Sequence, residues 1–371
     1  MKIPIFSRRN DRPDYLLVGL VVLLSLFGLA MLSSASSSIG ASRFGNPYYY
    51  VTHQLLSGFL PGIVLFLVLS KMYYKNLKKF AFFLLLLSVV GLVLVFTPLR
   101  VSLGGAARWI AIGPVTFQPA EFVKLAYLLY VAAWFSNLKA NRQSLTEGFL
   151  PFLGITGLIA FLLILQPATS MIVVLLAAAL GIYFLSGAKL RYIALMVLVG
   201  AIGLGAVIAA TPYRWERIRS YLAPSADEQG AAYHLKQLQI AIGSGGLFGV
   251  GYGQSKGKET YLPEPIGDSL FAVYAEEFGF VGATVLVGIF LAFVIDALLL
   301  ARRCRDEFGK LVLAGFGTLF GVQAFIHIGA NLGLIPLTGM PLPFMSFGGS
   351  ALISALAMAG IMVNVSRYAE R

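Results

Sequence analysis

Apolar residues occur along almost the whole chain in long blocks, and short polar segments separate one block from the next. A block of about 20 apolar residues is long enough to cross the roughly 30 Å hydrocarbon core of a bilayer as a helix. The pattern therefore predicts an all-α polytopic membrane protein with ten transmembrane helices. The predicted spans are residues 15–34, 52–70, 80–98, 118–136, 149–165, 167–186, 192–211, 268–300, 311–334 and 347–366.

Two places in this pattern are irregular. The block 268–300 is longer than a bilayer requires. It either projects above the membrane or breaks at Gly279–Gly282, which would leave residues 268–278 as a separate interfacial helix. The fifth and sixth spans meet at Gln166-Pro167 with almost no loop, which predicts a tight hairpin on the outside.

Composition and charge agree with a membrane protein. Hydrophobic residues make up 58% and charged residues 12% of the 371 residues, whereas about a quarter of the residues in soluble domains are charged. The net charge is +12, and 18 of the 28 Lys and Arg residues lie in alternate short segments. This is the positive-inside pattern with both termini cytoplasmic, so the basic charge follows from topology and does not indicate nucleic-acid binding. These segments are residues 2–12, 71–79, 139–142, 189–191, 302–310 and 367–371.

The remaining composition narrows the class of protein. The single cysteine, Cys304, lies in a basic cytoplasmic segment, so no disulfide can form within the chain and no thiol chemistry is indicated. The first apolar block is longer than the core of a secretory signal and more spans follow it, so we predict an uncleaved first helix. No internal repeat is visible in the motif-bearing segments, which argues against many transporter folds. We interpret residues 1–371 as one membrane domain.

The largest segment outside the predicted spans is the outer loop 212–267, between the seventh and eighth helices. Helices are predicted at Tyr213–Tyr221 and Ala231–Ile242, and a glycine-rich stretch follows at Gly243–Gly253. That stretch lacks the spacing of a phosphate-binding loop and no strand precedes it, so nucleotide binding is not predicted.

Asp268 lies where the charged loop 256–267 meets an apolar helical run. Carboxylates at the mouth of a membrane protein are costly and are kept mostly for pathways, ion pairs or chemistry. One interpretation is a helix N-cap or first-turn acid, which the helix dipole favours. The other is a general base, open to an aqueous cleft, that takes a proton from a sugar hydroxyl. Glu276 and Glu277, about two turns further on, are interpreted as partners of buried polar groups.

The segment Gln118–Lys124 opens the fourth predicted span, and Pro119 suits the first turn of a helix. Glu121 and Lys124 are three residues apart, so they share a helix face. They form either a structural ion pair or a cationic phosphate subsite in which Glu121 holds Lys124 in place. Arg108, in the preceding outer loop, carries a planar guanidinium that suits phosphate or carboxylate, and its structural and ligand-binding interpretations are both open.

Small residues precede the last predicted span, where Ser346–Ser350 reads SFGGS. Gly348 and Gly349 would allow a backbone to approach either a ligand or another helix closely. His327 stands alone in the ninth span and is interpreted as a hydrogen-bonded structural residue. The three histidines and one cysteine are scattered, without the spacing of a metal site, so no metal ligands are predicted.

Three stretches, in this order along the chain, resemble the SEDS family of shape, elongation, division and sporulation proteins. They are GGAARWIAIGPVTFQPAEFVKL (Gly104–Leu125), YLPEPIGDSLFAVYAEEFGFVG (Tyr261–Gly282) and NLGLIPLTGMPLPFMSFGGSAL (Asn331–Leu352). The ten-span layout, the cytoplasmic ends and the large outer loop also agree with this family, so the resemblance covers essentially the whole chain.

The resemblance implies a peptidoglycan glycosyltransferase that polymerises lipid II at the outer face of the cytoplasmic membrane. The implied reaction is an inverting glycosyl transfer that releases undecaprenyl pyrophosphate. Asp268 matches the essential acid of the family, and Lys124 and Arg108 are expected to contact the pyrophosphate. The expected substrate-binding residues are Arg108, Gln118, Glu121, Lys124 and Ser350, and the expected supporting residues are Glu276, Glu277, Gly348 and Gly349.

The same resemblance implies particular partners. They are lipid II, the membrane and a class B penicillin-binding protein, a transpeptidase with one membrane helix that would dock along spans eight and nine and the outer loops. Family members are also associated with a divalent cation, Mg²⁺ or Mn²⁺, although no ligand set is evident in this sequence. The chain departs from the family at Gly267, where a Thr usually precedes the acid, and at Gln166–Ser170, which lacks the acid of the usual QPD turn.

Two other functions use the same residues. A lipid II flippase would place charges through the full depth of the membrane, whereas Arg108, Glu121, Lys124 and Asp268 are expected to cluster towards the outer face, which favours chemistry there. A non-catalytic scaffold that activates a transpeptidase would tolerate the loss of Asp268. The motifs do not distinguish a role in elongation from one in division.

Overall fold

The computed structural model describes residues 12–103, 106–113, 115–138, 143–223, 230–260 and 262–370. Helices dominate these residues, as the apolar blocks predict. Short π-helical turns at Leu55–Phe59 and Leu145–Phe149 lead directly into α3 and α6. The helices are α1 (Tyr15–Phe44), α2 (Tyr49–Gln54), α3 (Leu60–Lys71), α4 (Tyr74–Leu94), α5 (Pro119–Leu138), α6 (Leu150–Leu165), α7 (Thr169–Leu185), α8 (Leu190–Ala209), α9 (Pro212–Leu222), α10 (Ala231–Ser244), α11 (Gly257–Thr260), α12 (Leu270–Arg303), α13 (Glu307–Asn331) and α14 (Gly349–Ser366).

Each of the ten predicted spans coincides with a helix, which confirms the all-α polytopic fold. In the described part of the chain, eight helices are long and apolar enough to cross a membrane. The other two are α7, which is apolar but shorter, and α5, which carries Glu121 and Lys124 near its start. The number of ten crossings therefore stays a prediction. A short connection joins the fifth and sixth spans, since α6 ends at Leu165 and α7 begins at Thr169, and its position on the outside stays a prediction.

The bundle is organised around α13 and α14. The most apolar stretch of each helix is 72% buried in α13 and 78% buried in α14. Small residues bring α14 close to α3, because a side chain on Gly62 would meet Leu356 and one on Gly360 would meet the backbone of Phe66. Helix α13 packs against α5, α7 and α12. Helix α8 lies at the periphery, since the most apolar stretch of this helix is only 11% buried. The start of α12 and the end of α13 lie close together, since Asn331 donates to the carbonyl of Asp268, and the candidate site lies there.

A small antiparallel sheet, which the sequence pattern did not predict, connects α4 to α5. Its strands are β1 (Arg100–Leu103), β2 (Ala106–Ile112) and β3 (Val115–Phe117), in the order β1-β2-β3. Val101 pairs with Trp109, and Ile110 pairs with Phe117. The central strand carries Arg108 and fixes where its side chain begins.

Helix α12 is broken at Gly279, which has φ 67° and ψ −167° inside an otherwise helical run. Glycine adopts this conformation without the steric penalty that a Cβ would bring. The break is one of the two predicted explanations for the unusual length of this span. It separates an outer segment, which begins just after Asp268, from the long inner segment that ends at Arg303.

The glycine-rich stretch of the outer loop forms hydrogen bonds with the backbone on both sides of this break. Residues 245–251, which we name the glycine clip, pair with the backbone groups that the break leaves without helical partners, as buried backbone groups require. The amides of Val250 and Gly251 donate to the carbonyls of Glu276 and Glu277 (3.0 Å each), and the amides of Phe280 and Val281 donate to those of Gly246 and Leu247 (2.9 and 3.1 Å). The stretch therefore has a structural role.

The outer loop also contains the two predicted helices, now seen as α9 and α10, and the short α11. Cys304, which follows the end of α12, is buried, and this burial raises the pKa of its thiol to about 11. Parts of the predicted basic segments 2–12 and 139–142, and Gly104, Gly105 and Tyr261 of the motifs, lie outside the described residues.

Candidate active site

Asp268 lies in a cleft of about 600 Å³ between the outer-loop helices and the outer end of α13. Polar and charged residues from four parts of the chain meet there. They come from α9, from α10, from the turn before α12, and from α13 with the segment that follows it. The polar and charged lining residues are Glu216, Arg217, Arg219, Ser220, Tyr233, His234, Asp268, His327, Asn331 and Thr338.

Hydrogen bonds hold the backbone on both sides of Asp268. Nδ2 of Asn331 donates to the Asp268 carbonyl (2.9 Å), and Oγ of Ser346 donates to the carbonyl of Gly267 (3.0 Å). The N-cap of α12 is Ser269, not Asp268, so the structure does not support the N-cap interpretation. Within the described residues, no group donates a hydrogen bond to the Asp268 carboxylate, which leaves it available to a ligand.

The surroundings of Asp268 favour a stronger base than an ordinary aspartate. Burial among protein atoms raises the pKa of its carboxyl, and the nearby Glu264 carboxylate raises it further. The guanidinium groups of Arg217 and Arg108 act in the opposite direction without cancelling the rise. The side chain still keeps partial exposure towards the cleft. A carboxylate with a raised pKa and access to solvent is suited to general base catalysis.

Two arginines from different elements come close enough to influence Asp268. Arg108 on β2 donates to the carbonyls of Gln166 (3.0 Å) and Pro167 (2.6 Å), which fixes its guanidinium at the α6–α7 turn. Arg217 on α9 lines the cleft itself. Arg108 does not line the cleft, and its predicted contact with pyrophosphate stays a prediction. The sequence interpretation missed Arg217, because a basic residue in an amphipathic loop helix gives no local signal that separates a ligand contact from a solvated face.

A histidine on α10 connects the outer loop to the same turn. His234 Nε2 lies 2.8 Å from the Ser269 hydroxyl. Burial, together with the neighbouring Arg217, lowers the pKa of His234 to about 4. His234 is therefore neutral at pH 7 and holds α10 against the start of α12 without adding charge.

Glu121 and Lys124 form an ion pair with 2.6 Å between Oε2 and Nζ. Both side chains are buried, at 2% and 3% exposure, and Lys124 Nζ also donates to Gln323 Oε1 on α13 (3.2 Å). Neither residue lines the cleft that holds Asp268. The geometry therefore favours the structural ion pair over the phosphate subsite for this conformation of the protein, and contact of Lys124 with pyrophosphate stays a prediction.

Gln118 and Ser350, both expected to bind substrate, contact each other. The backbone amide of Gln118 donates to the Ser350 hydroxyl (3.0 Å), which ties the start of α5 to the start of α14. This places the pair in a structural contact, and neither residue lines the Asp268 cleft.

Gly348 and Gly349 lie in close contact with the segment that joins α2 to α3. The amide of Gly348 donates to Oε1 of Gln54 (3.0 Å). A Cβ on Gly349 would lie 2.9 Å from the carbonyl oxygen of Ser57. The start of α14 is therefore packed against the turn that joins α2 to α3, and the close approach is to another helix.

Glu276 and Glu277 accept hydrogen bonds from buried polar groups, as predicted. Glu276 accepts from the Ser255 hydroxyl (2.6 Å) and from the Lys256 amide (3.1 Å). Glu277 forms a fully buried ion pair with Lys258 (2.7 Å) and also accepts from the hydroxyl of Ser34 on α1. These bonds fasten the loop before Asp268 to α12 and α1.

No three side chains of His, Cys, Asp or Glu converge as metal ligands in the described parts of the chain. Asp268 and Glu264 offer two carboxylates near the cleft, and Mg²⁺ commonly takes one or two carboxylates together with substrate phosphates. The protein residues alone do not fit a metal cage, so the divalent cation implied by the resemblance stays a prediction.

Comparison with known proteins agrees with the motifs. The family of FtsW, RodA and SpoVE, described as cell cycle proteins, matches residues 14–371. The chain belongs to this family. Stage V sporulation protein E of Bacillus subtilis (strain 168) is 36% identical over 365 residues, covering 98% of this chain and all of the relative. A probable peptidoglycan glycosyltransferase FtsW of Nitrosococcus halophilus is 37% identical, covering 95% of this chain and 92% of the relative.

Solved structures show the same fold over nearly the whole length. The crystal structure of the rod shape determining protein RodA of Thermus thermophilus matches with a TM-score of 0.71 and 27% identity, covering 97% of this chain and 98% of that one. A chain of a peptidoglycan synthase complex that coordinates polymerization and crosslinking matches with a TM-score of 0.77 and 28% identity, covering 96% and 98%. The family membership and the predicted class of enzyme, a peptidoglycan glycosyltransferase, are confirmed.

Proposed function

We propose that this protein polymerises lipid II into glycan strands at the outer face of the cytoplasmic membrane. The single observation that supports this most is the Asp268 carboxylate, which has no hydrogen-bond donor among the described residues and faces a 600 Å³ cleft. Its pKa is raised by burial, and two arginines lie close enough to act on its charge. A base and a cationic site for a leaving diphosphate are the two groups that an inverting glycosyl transfer requires.

In the proposed reaction, Asp268 takes the proton from the C4 hydroxyl of the acceptor N-acetylglucosamine. The hydroxyl oxygen attacks C1 of the donor N-acetylmuramic acid from the side opposite the diphosphate. The new C1–O bond forms as the bond from C1 to the diphosphate oxygen breaks, so the configuration at C1 inverts. The proton remains on Asp268, and the electron pair leaves with undecaprenyl pyrophosphate. Burial stabilises the neutral acid that results, which assists the proton transfer.

The arginine side of the cleft fits the diphosphate. Planar guanidinium groups bind phosphate oxygens through paired hydrogen bonds. Arg217 lines the cleft, and Arg108 is close enough to lower the pKa of Asp268. Negative charge grows on the bridging oxygen as the C1–O bond breaks. Cations held in place before the reaction stabilise that charge without having to reorganise. Arg217 is therefore the first choice for the leaving-group contact, with Arg108 beside it.

The proposed partner is a class B penicillin-binding protein that docks along α12, α13 and the outer loops. The solved peptidoglycan synthase complex coordinates polymerization with crosslinking, and this supports a crosslinking partner for the present chain. The positive-inside pattern supports a cytoplasmic membrane location with the cleft on the outside. Lipid II would then reach the cleft from the outer leaflet.

The test compares the wild type with Asp268→Asn in lipid II polymerisation, using full-length protein alone and with its transpeptidase. We expect glycan strands from the wild type and at least about a hundredfold less product from the variant, since general bases typically contribute 10²–10⁴ in rate. The variant must retain its melting temperature and its binding to the transpeptidase.

Other outcomes favour the alternative functions. Equal products from both proteins would remove Asp268 as the base. No product from either protein, with the transpeptidase present, would favour a flippase or a scaffold, and transport of labelled lipid II across vesicle membranes would then separate these two.

A further inference from the structure

The cleft wall beside Asp268 is a short segment whose backbone is held at several points. Residues 337–340, which we name the strap, connect the outer end of α13 to the segment before α14. A Cβ added to Gly339 would lie only 3.4 Å from Oδ2 of Asp268, so the strap borders the carboxylate directly. Three hydrogen bonds hold its carbonyls, from Arg217 Nη1 to Leu337 (3.2 Å), from Ser170 Oγ to Thr338 (2.7 Å) and from His327 Nδ1 to Met340 (2.7 Å).

The bond to Met340 determines which ring nitrogen of His327 carries hydrogen. A carbonyl oxygen can only accept, so Nδ1 of His327 must be the donor. In the neutral imidazole, Nε2 then has a free lone pair and acts as an acceptor. His327 is only 1% exposed and lines the cleft.

Two polar atoms on this wall are buried and have no hydrogen-bond partner in the described part of the chain. They are Nε2 of His327 and the hydroxyl oxygen of Thr338. A buried polar atom without a partner destabilises the folded protein, because it has lost its hydrogen bonds to water and gained none in return. Both residues line the cleft, and Thr338 as a residue is partly exposed. A ligand of suitable chemistry that reaches these atoms after a side-chain rotation would supply the missing hydrogen bonds.

The chemistry of these two atoms selects the part of the substrate that lies against them. The lone pair of Nε2 needs an O–H or N–H donor, and a threonine hydroxyl can both donate and accept. A diphosphate offers only acceptor oxygens, and it is better placed against the guanidinium of Arg217. Sugar hydroxyls and the N–H of an acetamido group satisfy both atoms of the wall.

We propose that Thr338 and His327 form a sugar subsite beside Asp268, which binds hydroxyl or acetamido groups of an N-acetylated hexosamine. The subsite rests on the proposed function, because it names the part of lipid II that the same cleft holds next to its base. It separates the cleft into a sugar side at the strap and a diphosphate side at α9. Neither residue exchanges a proton with the reacting atoms, so both act as positioning residues.

The first test compares Thr338→Val with Thr338→Ser in lipid II polymerisation by the full chain with its transpeptidase. Valine keeps the shape of threonine and removes the hydroxyl, whereas serine keeps the hydroxyl. We expect the KM of the Val variant to rise by about three- to tenfold, the range for one neutral hydrogen bond, with a smaller change in kcat. We expect the Ser variant to stay within about twofold of the wild type. The melting temperature of the Val variant should be unchanged or higher, since the hydroxyl has no partner in the free protein.

The second measurement observes His327 directly and does not require turnover. With only three histidines in the chain, the ¹⁵N resonances of the rings can be assigned in the non-polymerising Asp268→Asn background. We expect the Nε2 resonance of His327 to move when lipid II is added and to stay in place when undecaprenyl pyrophosphate, which lacks the sugars, is added. A shift with both ligands, or with neither, would overturn the sugar subsite.

The two measurements distinguish failure of the subsite from failure of the proposed function. Polymerisation by the wild type together with an unchanged KM in Thr338→Val overturns the subsite alone. If the wild type binds lipid II but forms no strands, the proposed polymerase fails, and the ¹⁵N response to lipid II still decides whether the strap binds sugar. Thr338→Val that fails to fold would contradict the argument that its hydroxyl is unpartnered.

Discussion

Asp268 occupies a position where burial disfavours its charge while two arginines favour it, so its proton affinity reflects a balance of opposing neighbours. The pKa of the Asp268 carboxyl determines the pH range in which the proposed base is ionised. A base acts in its ionised form, and the pKa of this one lies above that of an ordinary aspartate. Polymerisation should therefore be lost as the pH falls through that raised pKa, at a higher pH than for an unperturbed carboxylate.

Activity that is lost as the pH falls gives the pH profile an acid limb. Removing each of two neighbours of Asp268 should move this limb in opposite directions. Arg217→Gln removes a group that lowers the pKa of Asp268, so the limb should move to higher pH. Glu264→Gln removes a group that raises the pKa, so the limb should move to lower pH. The measurement is the pH profile of kcat/KM for lipid II in the two variants and the wild type. Shifts in the same direction would show that the limb belongs to another group.

The ion pair of Glu121 and Lys124 shows what helical spacing can and cannot predict. A separation of three residues placed both groups on one face, and the structure confirms the pair. Whether that face meets the cleft or the core depends on Gln323, which is far away in sequence and contacts Lys124 from α13. Local spacing carries no information about such a partner, so the phosphate-binding interpretation could not be decided from sequence.

At the scale of the elements, the glycine clip requires glycine at position 249. A Cβ on Gly249 would collide with the backbone of Glu277, and Gly249 itself has φ 83°. We expect Gly249→Ala to destabilise the protein by more than about 3 kcal/mol, since it combines overpacking with backbone strain. The melting temperature of the purified protein in detergent measures this effect.

Gly243→Ala is the matched control for the clip. Gly243 lies in α10, and a Cβ added there would meet nothing within 4 Å. Alanine favours a helix over glycine by up to about 1 kcal/mol, so this variant should be as stable as the wild type or slightly more stable. Equal melting temperatures for the two alanine variants would contradict the proposed tight fit of the clip.

The break in α12 could be predicted from the sequence, but its pairing with the glycine clip could not. The break in α12 was foreseen as an alternative because Gly279 interrupts a run that is too long for one crossing. The pairing of residues 245–251 with that break was not foreseen, because it consists of backbone hydrogen bonds between segments about 30 residues apart and such bonds leave no periodic side-chain pattern. The same holds for the small sheet that carries Arg108.

For the whole molecule, the alternation of basic segments predicts which surfaces face the outside. We expect a cysteine placed at Lys236, which is exposed on α10, to react with a membrane-impermeant maleimide in intact cells. A cysteine at Lys189, exposed at the start of α8, should react only after the membrane is permeabilised. Both variants should be built in a Cys304→Ala background, so that the native thiol does not contribute.

The opposite labelling pattern would invert the proposed topology and place the cleft in the cytoplasm. Labelling of both positions in intact cells would contradict the number of crossings between them. The predicted pattern would place the Asp268 cleft on the side where glycan strands are assembled.

The glycine clip connects the outer loop to the part of the chain that follows Asp268. Its four backbone hydrogen bonds, together with the buried Glu277–Lys258 pair, join the outer loop to the first turns of α12. Those turns follow Asp268 along the chain, so we expect a displacement of the outer loop to reach the turn that carries Asp268. We therefore expect a protein that binds this loop to change the position of the Asp268 carboxylate without contacting the cleft.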